Sequence, residues 1–161
     1  MAKTTRTTKS AKTAKTAKAS TTAKGGAGTK SAKAPRAKAS AAKLPAELKA
    51  AITAALDKKA LEMTVLDLRK ASAFTDFFVI CTGANPRQVH AIADGVEQAL
   101  KAEGVRPAHV EGYQRAEWVL VDYFDFVVHV FSPAARAFYG LERLWGDAVR
   151  IEITEPQNAR G

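Results

Sequence analysis

Cysteine occurs once in the 161 residues, at Cys81, so the chain can form no internal disulfide and suits a reducing compartment. Residues 1–43 contain no Leu, Ile, Val, Phe, Tyr or Trp. Such a segment has too little apolar side chain to offset the entropy of ordering it, and it is expected to be disordered. It also lacks acidic residues, the first in the chain being Glu47. No window approaches the roughly 20 apolar residues of a membrane helix, and no apolar stretch near the start could act as a secretory signal. Gly83 stands apart from the other glycines, so there is no GxGxxG or P-loop pattern.

What is present is charge of two kinds. The formal net charge is +9, from 25 Lys+Arg and 16 Asp+Glu. Ten Lys and two Arg fall in residues 1–43, which leaves 13 basic against 16 acidic residues, a net of −3, in residues 44–161. The chain thus divides into a Lys/Ala/Thr-rich basic tail, 1–43, and one domain, 44–161, whose core spans about 46–150. Lysines recur every third residue at Lys9, Lys12, Lys15 and Lys18. That period forms no stripe on a 3.6-residue helix, and the arm suits nonspecific attachment to phosphate backbones. Without aromatics it cannot stack on bases. A solubilising extension and an acid-poor organelle transit peptide are the other readings of the same composition.

The domain reads as alternating helices and strands. Leu44-Pro45-Ala46-Glu47 opens a helix that carries Leu48, Ile52, Ala55 and Leu56 at helical spacing. Residues 64–68 and 75–81 read as strands, the second so continuously apolar that both its faces are expected to be buried. Asn85, Pro86 and Gln88 form an N-cap, a first helical residue and a capping-box partner. Val89, Ile92, Ala93, Val96 and Leu100 continue that helix until Gly104. A short strand near Val110, a strand over 118–122 and a returning strand over 125–131 follow, with Tyr123-Phe124 as the tight connection. Ser132 and Pro133 cap a last helix with Phe138, Leu141, Leu144 and Trp145 on its apolar face. The pattern predicts an α/β domain with a mixed sheet of four to five strands covered by helices.

The search for chemistry yields little. Cys81 ends an apolar strand and reads as a buried structural thiol. His90, His109 and His129 lack metal-ligand spacing, and His129 reads as a hydrogen-bonded sheet histidine. Asp122 and Asp125 flank a hairpin turn. They could hold Mg²⁺ in a nucleotide-transferring enzyme, but such enzymes pair them with a Gly-Ser element, and the chain has no Gly-Ser dipeptide. Turn-forming aspartates are the simpler reading. What remains is aromatic: Trp118, Tyr123, Phe124, Phe138, Tyr139 and Trp145 crowd the last third, and Tyr139 points off the apolar line of its helix. Aromatics left at a surface mark a binding module.

Several motifs, in order, resemble the ribosomal silencing factor family (RsfS, or Iojap). They are Thr75-Asp76-Phe77-Phe78-Val79-Ile80-Cys81-Thr82-Gly83, Arg87-Gln88-Val89, Ala91-Ile92-Ala93 and Glu111-Gly112. Trp118, the run Asp122 to Phe131, and the run Arg136 to Trp145 complete the set. The resemblance implies a nucleotidyltransferase-like fold without catalytic residues, no enzyme activity, and no cofactor or metal. It implies binding to the large ribosomal subunit through ribosomal protein fourteen, which blocks subunit joining and lowers translation when nutrients are short. Trp118 and Tyr139 then match contact residues, with Asp122, Arg136 and Arg143 as polar or ionic contacts at the edge. Phe124 departs from the family, where many members carry Gly. In this setting the tail would add a nonspecific contact to ribosomal RNA. Monomer and homodimer both remain open, and the bacterial cytoplasm is the expected location, with an organelle as the alternative. The competing readings are a nucleotidyltransferase-like enzyme using Asp122 and Asp125, and a histone-like RNA-binding protein carried by its tail.

Overall fold

The computed structural model describes residues 43–71 and 73–153, so the expectations for residues 1–42, the disordered basic tail among them, lie outside the described residues. Two strands, here β2 (Phe77–Thr82) and β5 (Phe126–Phe131), are buried at every position and pair in parallel. This is what their uninterrupted apolar runs require, because a strand at the middle of a sheet meets a layer on each face. Antiparallel pairing builds outward from them. On one side lie β1 (Leu61–Asp67) and β6 (Val149–Glu152), on the other β4 (Trp118–Asp122) and β3 (His109–Glu111). The resulting order is β3-β4-β5-β2-β1-β6.

The sheet's period-two alternation sorts its side chains into two cores. Val110, Val121, Val128, Val79, Val65 and Ile151 align in register across all six strands. All but Val110 pack beneath α1 (Ala46–Asp57) and α2 (Pro86–Ala102). α1 contributes Leu48, Ile52 and Ala55 to this layer, and α2 contributes Val89, Ile92, Ala93, Val96 and Leu100, as their spacing predicts. The start of α2 is fastened twice. Asn85 Oδ1 accepts from Gln88 N at 2.9 Å, and Gln88 Oε1 accepts from Ala84 N at 2.7 Å. Gln88 Nε2 also donates to the carbonyls of Lys58 and Lys59, which ties the end of α1 to the start of α2.

The opposite face carries Leu66, Phe78, Ile80, Val127 and Phe131; among the described residues the helices over it are α3 (Pro133–Tyr139) and α4 (Leu141–Leu144), with Leu68, Ala71, Ala73, Trp145 and Ala148 packed beside them. Eleven helical residues in two pieces cannot cover a six-stranded sheet, so aromatic side chains are left near the surface here.

Two expectations need correction. Among the described residues the sheet has six strands, not four or five. The additional strand, β6, is a four-residue edge with one buried side chain, Ile151, and so carries almost no period-two signal. The last helix is two short helices. Gly140 adopts a left-handed conformation (φ 53°, ψ 47°), ending α3 and resetting the rotation before α4. Phe138, Leu141, Leu144 and Trp145 therefore do not share one buried line. Leu141 is buried, whereas Phe138 and Leu144 are 79% and 73% exposed.

Candidate protein-docking face

Trp118 opens β4 and is placed by the turn before it. At Gly112 φ is +74°, and a Cβ there would lie 2.0 Å from the Trp118 carbonyl oxygen. Only glycine lets the two backbones approach so closely, which gives the Glu-Gly motif a physical reason. The next residue, Tyr113, fixes this loop to α2. Its carbonyl accepts from His90 Nε2 at 2.6 Å, its ring stacks on His90, and its hydroxyl donates to Asp94.

The Trp118 ring stacks on Phe131 (centroids 5.0 Å apart) and meets Tyr139 (4.7 Å). Its Nε1–H donates to Nδ1 of His129 at 3.1 Å. His129 is only 3% exposed, and burial pushes its pKa down to about 3, so the ring is neutral. Because Nδ1 accepts, the ring's hydrogen sits on Nε2, which has no partner among the described residues. Phe78 meets the His129 ring edge-on at 4.6 Å. The sheet histidine expected from sequence is thus hydrogen-bonded, and its partner is the candidate contact residue Trp118.

Tyr139 lies over this cluster and is half exposed, with Phe138 perpendicular to it at 5.0 Å. Phe138 and Tyr139 on α3 and Leu144 on α4 are exposed apolar side chains, and the exposed Arg143 guanidinium lies beside Gly140 between the two helices. Aromatic side chains grouped at a surface, with a cation at the edge, have the composition of a protein-binding patch.

The five contact candidates therefore separate. Trp118 and Tyr139 touch each other, and Arg143 flanks them. Asp122 lies at the far end of β4, where its carboxylate accepts from Phe124 N at 2.8 Å and holds the turn. Arg136 points inward. It pairs with Glu142 and donates to Thr82 Oγ1 at 2.9 Å and to the Glu62 carbonyl at 2.7 Å, clamping α3 to β1 and β2. Its guanidinium is thus engaged within the domain. Sequence reasoning missed Phe138 and Leu144 as surface residues, since both fell on the assumed buried line. Gly140 was the signal that this line breaks.

Among the described residues no three His, Cys, Asp or Glu side chains group as metal ligands. Cys81 is fully buried, and burial pushes its thiol up to about 12, so it holds its proton at neutral pH. No described helix is long and apolar enough to cross a membrane.

The sequence profile of the family described as "Ribosomal silencing factor during starvation" matches residues 41–161. The chain is 43% identical over 106 residues to the ribosomal silencing factor RsfS of Halalkalibacterium halodurans, covering 66% of this chain and 91% of that one. It is 44% identical over 106 residues to RsfS of Bacillus subtilis, covering 66% and 90%. Among solved structures, a crystal structure of a Chromobacterium violaceum protein superposes with a TM-score of 0.61 at 39% identity, covering 71% of this chain and 91% of that one. A profile match across three quarters of the chain, two close relatives and a shared fold converge: the chain belongs to the ribosomal silencing factor family.

Proposed function

We propose that this protein binds the large ribosomal subunit through ribosomal protein fourteen, blocks joining of the small subunit and so represses translation when nutrients are limiting. The observation that carries the reading is the exposed apolar surface of Phe138, Tyr139 and Leu144 backed by Trp118. Large apolar side chains exposed together are costly unless a partner covers them. The net charge of −3 over residues 44–161 favours a basic protein surface over naked RNA. Arg143 sits at the rim, where it would set orientation more than affinity. In this reading the protein is not an enzyme and acts in the bacterial cytoplasm, where subunits join.

The basic tail, 1–43, adds a nonspecific contact to ribosomal RNA and raises the local concentration of the domain. Binding of purified large subunits tests both parts. Tyr139→Ala and Phe138→Ser should weaken binding about tenfold or more while folding is retained. Removing residues 1–43 should weaken it mainly at low salt and flatten the salt dependence. Full affinity in both aromatic variants would refute the docking face.

A further inference from the structure

The chain places a histidine in the middle of β5, in a run that is otherwise apolar on both sides: Phe126, Val127, Val128, His129, Val130, Phe131. In register, His129 lies between Leu120 of β4 and Ile80 of β2. No charged group is its neighbour in either strand, and one ring nitrogen has no partner among the described residues. A phenylalanine or leucine would fill this position without desolvating a polar ring. The core therefore gives no reason for histidine. The only polar contact its ring makes among the described residues is the bond from Trp118 Nε1–H to Nδ1.

We infer that His129 is a positioning residue for the docking face: it holds the Trp118 indole with its N–H turned into the sheet, so that Trp118 backs Tyr139 in one fixed orientation. This rests on the docking reading above. The indole is only half-buried, so without an acceptor its N–H would be drawn toward water by rotation of the ring. That rotation would abandon the stack on Phe131 and the contact with Tyr139. A partner would then have to re-order the ring on binding. Immobilising one large side chain in this way weakens association about three- to tenfold.

The test separates the bond from the docking. His129→Phe keeps an apolar ring and deletes the acceptor. His129→Asn places an amide oxygen close to where Nδ1 stood and restores it. The first readout is hydrogen exchange of the Trp118 indole N–H in the full chain without ribosomes, assigned with Trp145→Phe. The expected result is slow exchange in the parent, fast exchange in His129→Phe, and slowing again in His129→Asn. The second readout is affinity for purified large subunits, expected to fall about three- to tenfold in His129→Phe and to recover in His129→Asn. Thermal melts of each variant establish that the fold is retained.

Unchanged indole exchange in folded His129→Phe overturns the inference. So does fast exchange with unchanged affinity. If Trp118→Ala binds as the parent does, the docking reading fails instead, and the exchange experiment still decides whether His129 holds the indole.

Discussion

Acidification from pH 8 to pH 5 should cost this fold about 2 kcal/mol through His129 alone. In an unfolded chain a histidine titrates near its ordinary value of about 6.5. In the folded domain burial holds His129 neutral down to about pH 3. Between those values the unfolded state binds a proton that the native state does not, so stability falls as pH falls. At pH 5 the medium lies about 1.5 units below the unfolded value, and each unit is worth about 1.36 kcal/mol. The perturbation is His129→Phe, and the assay is urea unfolding of the parent and variant at several pH values between 8 and 5. His90 and His109 are common to both chains, so their contributions cancel in the difference. Asp67, held below its ordinary value mainly by its hydrogen bond from Arg69, loses stability only at lower pH and also cancels. The parent should lose about 2 kcal/mol relative to the variant over this range. Curves that stay parallel within about 0.5 kcal/mol would show that His129 charges freely in the fold, and the burial argument would fail.

Other substitutions probe other contacts. Gly112→Ala forces a Cβ against the Trp118 carbonyl at a left-handed backbone position, and should lower stability by about 3 kcal/mol in denaturant unfolding. Arg136→Met strands the largely buried Glu142 carboxylate and should cost about 2–3 kcal/mol, of which Arg136→Met/Glu142→Leu recovers a part. Phe124 sits at φ 67° with 73% of its surface exposed, so Phe124→Gly should stabilise the turn by about 0.5–1 kcal/mol. Phe138→Ser, which removes an exposed ring, should leave the melting midpoint within about a degree while weakening binding to large subunits.

The fold was legible where side-chain period and burial coincide. α2 could be read from Asn85 to Gly104 because its cap, its apolar face and its stop are all local signals. β2 and β5 could be read because full burial leaves an uninterrupted apolar run. The end of the domain was not legible. Gly140 fits a helix interior as a tolerated residue or a helix end as a left-handed cap, and only packing on Arg143 and Leu141 decides between them. β6 exists because β1 offers it an edge, which is a property of the sheet and not of Val149–Glu152. At the candidate site, Trp118 and Tyr139 were readable as aromatics, but their mutual contact was not. It depends on how far α3 reaches back over β4, a distance that no local spacing encodes. Arg136 shows the same limit in reverse. In sequence it is one more cation near an aromatic helix; Glu142 lies six residues on, but the engagement with Thr82 and Glu62 requires two segments distant in the chain.

In the proposed role the aromatic face of α3 and β4 covers the large subunit and keeps the small subunit away. Sedimentation of separated small and large subunits, mixed under joining conditions with increasing protein, tests it most directly. Joined ribosomes should give way to free subunits, with the protein travelling in the large-subunit fraction, and Tyr139→Ala should restore joining. Complete joining at saturating protein, or protein that travels with the small subunit, would contradict it.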